Sequence, residues 1–317
     1  MKIVYLDQNK WIELARAVKH PVLYPDLRGL LEALACEVGA GRLAVPLSST
    51  NLYETYKIRD AKRRQELARV QAALSRGLVF RGRYRRLEEE VSDVLREAYG
   101  LPAVDRTPTW FLSDVFFEAT AEIGDPRLGV AVSDTFIQAI RHRPALCLYD
   151  YLVSGSEAER EATVRQFSEG SAQLKKRIEG RRDRHRESPI SERRRIYGAI
   201  LLIEEMDLIF SFATKAGIPW KTPRDLGPST TRKIVIDVPV YDTERELTLR
   251  LESQARPIHE NDMRDMQSFC TAIPYSDVVV GENQFMNLAR QAKLDKKYAT
   301  RLTTNLQDLW AMLELTS

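Results

Sequence analysis

The chain is poor in the features that mark several large protein classes. Among 317 residues there are three cysteines, Cys36, Cys147 and Cys270, far apart and outside any Cys-x-x-Cys pair. That pattern excludes a disulfide-stapled scaffold and predicts small buried side chains in a reducing compartment. The four histidines, His20, His142, His185 and His259, never fall at His-x-x-x-His spacing, which disfavours a zinc site. There is no Gly-x-x-x-x-Gly-Lys-Ser/Thr loop, and no Gly-x-Gly-x-x-Gly follows a strand-like run. Neither common way of cradling a nucleotide phosphate is therefore present. Apolar runs stop short of the ~18 residues a membrane span needs. The N-terminus also lacks the basic-then-apolar signature of a signal peptide, so a soluble, cytoplasmic protein without a membrane segment is expected. With 48 Lys+Arg against 45 Asp+Glu, the net charge of +3 excludes a globally basic nucleic-acid binder but leaves room for a local patch.

The composition, 44% hydrophobic, is sufficient for a proper core, and the length exceeds that of a typical single domain. The most informative stretch runs from Pro257 to Leu288. A helix opening at Asn261 or Asp262 places Met266, Phe269, Cys270 and Ile273 on one apolar side. It turns Asp262 into that arc and sets Asp265 at its margin. Asp277 precedes Val278-Val279-Val280, which reads as a buried parallel strand, and Gly281 and Glu282 stand at its exit. The N-terminus repeats the arrangement: strand Ile3 to Leu6, Asp7 at its end, then a helix with Trp11, Ile12, Leu14, Ala15 and Val18 inward. A third strand, Leu43 to Val45, leads through a Pro-Leu-Ser-Ser-Thr entry into a helix bearing Glu54 that continues to about Gly77. Strand exits are where sites form in open α/β sheets, and three strand-associated acidic positions suit a divalent metal.

This ordered set resembles the PIN-like nuclease family. The match rests on Asp7 in YLDQNKW, Glu54 in PLSSTNLYE, and the Asp262/Asp265 helix followed by the Glu282 strand exit. It covers roughly residues 1–60 and 230–317. Val280-Gly281-Glu282 stands where the family places Thr-x-Asp, and a long insertion separates the halves. The resemblance implies an α/β, PIN-like three-layer fold with a central parallel sheet and a large helical insertion. Its core halves would span 1–77 and 229–317, and its insertion 78–228. It further implies a metal-dependent endoribonuclease, with RNA favoured over DNA, using Mg²⁺ or Mn²⁺. The implied catalytic group is Asp7, Glu54, Asp262, Asp265 and Glu282. Asp7, Asp262 and Asp265 would be the main metal holders, with Asp277 or Glu282 completing the site. Toxin or antiviral-defence roles, and a regulatory protein partner, are common in that setting. The alternative is a catalytically inactive PIN-like scaffold that binds nucleic acid or a protein partner through the insertion.

Between 78 and 228 helical periodicity dominates, including Thr109 to Gly124. Within it, Lys175, Lys176, Arg177, Arg181, Arg182, Arg184, Arg186, Arg193, Arg194 and Arg195 make ten cations against four acids. They form either a solvated charged face or a phosphate-contacting surface whose binding weakens with salt. The run KIVIDV before Pro239 reads as a strand, Val240 to Leu251 as a helix, Arg301-Leu302 as a last strand, and Asn305 as a helix start. Phosphodiester hydrolysis needs an activated water and shielding of developing charge, which one or two oxygen-bound divalent ions provide. Clustered carboxylates without a cation should hold raised pKa values.

Overall fold

The computed structural model describes residues 1–121 and 132–315. Strand β1 (Lys2–Leu6) leads into α1 (Gln8–Lys19) and α2 (Pro25–Gly39), then β2 (Leu43–Ala44), α3 (Ser49–Tyr56) and α4 (Ala61–Ser75). Next come β3 (Val79–Phe80), α5 (Arg83–Ala98), β4 (Leu112–Ser113), α6 (Asp134–His142) and α7 (Pro144–Ser154). Two long helices, α8 (Glu157–Arg184) and α9 (Ile190–Lys215), precede α10 (Gly227–Asp237), α11 (Pro239–Glu252) and α12 (Glu260–Ala272). The chain closes with β5 (Val278–Val280), α13 (Asn283–Gln291), α14 (Leu294–Lys297), β6 (Arg301–Thr303) and α15 (Leu309–Leu313).

The central sheet has four parallel strands in the order β2-β1-β5-β6. Its register pairs Leu6 with Val280, and beyond Lys2 at the start of β1 both strands are buried and free of charged residues because both faces are covered. Val4, Leu6, Val278 and Val280 face a layer that includes Trp11, Leu14, Leu30 and Leu34 from α1 and α2. Ile3, Tyr5 and Val279 face the opposite layer, with Phe269 from α12 and Phe285 and Met286 from α13. The period-two alternation of side chains thus splits one strand between two cores. The chain leaves β1 toward β2 on one side and β5 toward β6 on the other. The exits of β1 and β5 therefore flank a topological switch point, where ligand crevices form in open parallel sheets.

The mixed α/β architecture and the parallel sheet agree with the sequence reading; several details differ. The KIVIDV segment is helical, in α10, with Ile234 and Val238 fully buried one turn apart and Ile236 exposed. Its β-branched residues follow helical packing against α5 and α11, and tertiary context overrides their strand preference. The helix carrying Glu54 ends at Tyr56, and a new one starts at Ala61 because Asp60 caps it, its Oδ1 accepting from Arg63 N–H at 2.7 Å. The segment from Thr109 onward forms β4 and a short 3₁₀ turn, Phe116–Ala119, in place of a long helix. The remainder of that expected helix, residues 122–124, lies outside the described residues. Strands β3 and β4 pair antiparallel, and Leu47 bridges to Val79, so residues 78–80 extend the sheet region. Cys36 is exposed and Cys147 half-buried, and only Cys270 is buried. Cys36 lies off the Leu30-Leu34-Val38 face of α2. On α1 the inward residue near the C-terminus is Ala17, and Val18 is exposed.

Helix α11 is the centre of the helical part and is buried on nearly every side. It brings acids into contact with the cation run. Arg194 forks onto Glu246 at 2.7 and 2.8 Å, and Arg181 meets Glu252 at 2.9 Å. Arg193 donates to Ser253 Oγ at 2.9 Å, and Arg182 to the Arg256 carbonyl at 3.1 Å. Much of the run therefore pins α8 and α9 to α11 and its C-terminal loop. No described helix is long and apolar enough to cross a membrane.

Candidate active site

The exit of β1 fixes Asp7. Its backbone N–H donates to the Val280 carbonyl at 2.9 Å, and its Oδ1 caps α1 by accepting from Gln8 N–H at 2.8 Å. Buried donors and acceptors beside it lock the neighbouring helices. Gln8 donates to Thr55 Oγ1 at 2.9 Å and accepts from Asn51 and Gln71, each at 3.3 Å. Asn51 also forms a reciprocal capping box with Ser48 at the start of α3. This network ties α1, α3 and α4 together immediately behind Asp7, and it sets Glu54 on the turn of α3 that faces the crevice.

Asp7, Glu54, Asp265 and Glu282 line a single cavity of about 190 Å³ at the switch point, with Thr50, Lys57 and Arg264 among its walls. Asp265 reaches it from α12 and Glu282 from the N-cap position of α13. Gly281, at the β5 exit, is needed for this approach, since a Cβ there would lie 2.9 Å from Phe269 Cζ. Asn9 donates to Glu282. Glu54 is held by Lys57 at 2.9 Å and by Arg264 Nε at 3.1 Å. No described side chain hydrogen-bonds or ion-pairs with the Asp265 carboxylate, whose surroundings are dominated by acids. Burial, then the Asp7, Glu282 and Asp262 charges, push Asp265 up to about 8. Burial raises Asp7 to about 6, aided by Glu282 and Glu54 and opposed by the Gln8 hydrogen bond. Both shifts have the sign that burial and neighbouring like charges give a carboxylate. Behind them the fully buried Tyr5 hydroxyl, raised by burial and by Asp7, contacts Ser48 Oγ at 3.3 Å.

Two acids singled out from the sequence stand elsewhere. Asp262 is buried and already satisfied: Arg256 grips it at 2.7 and 2.8 Å, His259 N–H donates at 2.7 Å, and Gln284 at 3.1 Å. It closes the capping box of α12 and acts on the cavity only through its charge. Asp277 lies at the opposite edge of the sheet, where its Oδ2 accepts from Ile3 N–H at 2.6 Å. A residue just before a strand and a residue just after its parallel neighbour occupy opposite edges, so Asp277 and Asp7 do not meet. Of the ten cations, Lys175 and Arg177 face Glu179 and Glu204 at 3.8 and 3.6 Å, and Arg184 donates to the Gly180 carbonyl. Lys176, Arg186 and Arg195 are exposed and form no ion pair among the described residues.

The sequence reading missed Arg256, Arg264 and Lys57. Arg264 carried a usable signal, since it sits beside Asp265 on the same helix turn. Arg264 also lies over the Tyr53 ring at 6.0 Å, and Tyr53 stacks on Phe167 of α8 at 3.9 Å. The helical part therefore reaches the rim of the cavity. The donor set is all oxygen, which suits Mg²⁺ or Mn²⁺. Among the described residues, no three acid, histidine or cysteine side chains stand close enough together to form a ready-made metal cage. Comparison with protein-family models, with curated proteins and with solved structures returns no match.

Proposed function

We propose that the chain is a metal-dependent nuclease with a PIN-like fold, hydrolysing phosphodiester bonds in RNA. The observation that carries this reading is the convergence of Asp7, Glu54, Asp265 and Glu282, from four separate elements, on one cavity at the sheet's switch point. Asp7 and Asp265 would hold a Mg²⁺ or Mn²⁺ ion, with Glu282 and Glu54 at the rim. When bound, the ion supplies an activated water and shields charge on the reacting phosphate. Asp265, whose carboxyl is pushed up to about 8 by burial and neighbouring acids, would hold the ion in its deprotonated form, so binding there would strengthen as pH rises. Lys57 and Arg264 bring positive charge to the same wall, suited to a phosphate oxygen of the strand. Asn9 and the Gln8-Asn51 network keep the acids in place.

The second reading, a PIN-like scaffold that binds without cutting, is favoured by one feature. Glu54 is already paired with two cations, Lys57 and Arg264, and so is less free to hold a metal ion. The two readings separate in a metal titration on single-stranded RNA and DNA. Cleavage of RNA that needs Mg²⁺ or Mn²⁺ and is lost in Asp7→Asn supports the nuclease. Binding without cleavage under either ion supports the scaffold.

A further inference from the structure

A second and larger cavity, of about 420 Å³, lies on the far side of α12 from the acids. Helix α12 is the shared wall: Met266, Gln267 and Cys270 face this cavity, whereas Arg264 and Asp265 face the other. Its volume falls in the range of small-molecule sites. Five guanidinium groups line it, from Arg81, Arg83, Arg86, Arg177 and Arg181, against three carboxylates, Glu204, Glu205 and Glu244. Arg83 takes up two of those acids, Glu244 at 2.6 Å and Glu205 at 3.0 Å. Arg177 takes the third, Glu204, at 3.6 Å, while Arg81 and Arg181 pair with acids outside the lining, Glu118 at 2.7 Å and Glu252 at 2.9 Å.

Arg86 is the exception. It is buried, with 4% exposure, and no carboxylate lies within ion-pair distance among the described residues. Its Nε donates to the Arg81 carbonyl at 2.9 Å and its Nη2 to Thr271 Oγ1 at 3.1 Å, while Nη1 has no hydrogen-bond partner among the described residues. Glu90, one turn along α5, accepts instead from Val240 N–H at 2.8 Å. Glu90 and Glu244 act on Arg86 only from beyond contact distance; a buried guanidinium without an ion pair is costly, and an anion entering the adjoining space offsets that cost. The cavity also presents an aromatic ring, Tyr197, held by Arg181 at 4.9 Å from its centroid, and apolar wall from Leu174 and Leu201. Positive charge beside an aromatic and apolar wall is the combination that recognises a nucleotide: phosphate on guanidinium, base on ring.

We infer that this second cavity binds a nucleoside monophosphate. The inference does not depend on the acid site being catalytic, because the two cavities have no lining residue in common, meeting only across α12 and the start of α3, and binding here needs no divalent ion. The test uses the full chain in EDTA. AMP, GMP, CMP and UMP are titrated by calorimetry, with adenosine and inorganic phosphate as partial ligands. At least one monophosphate is expected to saturate a single site and to bind about tenfold or more tightly than either partial ligand. Arg177→Glu, a change at an exposed side chain that leaves the fold intact, should weaken that binding by about tenfold. Arg86→Gln should weaken it further if the variant folds; if it does not fold, Arg177→Glu decides. The Asp7→Asn variant should bind as the unaltered chain does. Failure of all four monophosphates to bind at millimolar concentration would overturn the inference. So would affinity no better than that of adenosine or phosphate, or affinity unchanged by Arg177→Glu.

Discussion

Asp265→Asn should stabilise the metal-free protein by an amount that is nil near pH 4, grows as pH rises and is complete above about pH 8. The carboxyl is raised from 3.8 to about 8 in the folded chain. Below its unfolded value both states carry the proton and the residue contributes no difference. As pH climbs from about 4 to about 8, the unfolded chain releases the proton while the folded chain retains it, so stability falls through that window. Above it the folded protein carries the full cost of a buried charge among acids. Taken whole, the rise corresponds to about 6 kcal/mol, but the side chain is only partly buried and water screens it, leaving about 2 kcal/mol. For a chain of this length that is roughly 3 °C in melting temperature. Asparagine keeps the shape and removes the charge. Thermal melts of both proteins in EDTA should coincide near pH 4 and separate by about 3 °C near pH 9, with the variant higher. Equal melting at both extremes, or a gain present already at pH 4, would refute the electrostatic reasoning.

Manganese at about a hundredfold excess over its Kd should add about 2.7 kcal/mol to the unaltered chain, more above pH 8 than near pH 5, and little to Asp265→Asn; melts across pH with and without the ion check this. Arg256→Ala should cost about 2 kcal/mol, because Asp262 remains buried without its forked partner; urea titration at neutral pH reads it. Asp277→Ala should cost about 1 kcal/mol by orphaning the Ile3 N–H while leaving any cleavage rate per folded molecule unchanged. An equal loss of rate and metal response in that variant would return Asp277 to the site.

Much of the sheet was legible because β1 and β5 are unbroken apolar runs with an acid at the exit, and that signal survives without any neighbour. The meeting of Asp7 with Glu282 was legible from order alone, since parallel strands deliver their exits to one edge, whereas Asp265 was legible from its place at the margin of the apolar face of α12. By the same rule Asp277, ahead of its strand, belonged at the other edge. What stayed hidden depended on partners distant in sequence. The charge of Asp262 looked available until Arg256, six residues earlier across a loop, closed on it. The Lys175–Arg195 run looked like a free cationic surface because its acids, Glu246 and Glu252, sit more than fifty residues on. Ile234, Val235 and Ile236 looked like a strand because side-chain branching reports local preference, whereas burial of Ile234 and Val238 on one helical face decided the outcome.

The central claim, that acids from four elements form one divalent-ion site for cutting RNA, is tested most directly by a cleavage assay. Labelled single-stranded RNA would be incubated with the unaltered chain and with Asp7→Asn as Mn²⁺ is titrated, and RNA binding measured in parallel. Cleavage should rise with Mn²⁺ and fall by about a hundredfold or more in the variant, with binding retained. An unaltered chain that binds RNA but cuts nothing under Mn²⁺ or Mg²⁺, or a variant that cuts as fast as its parent, would contradict the claim.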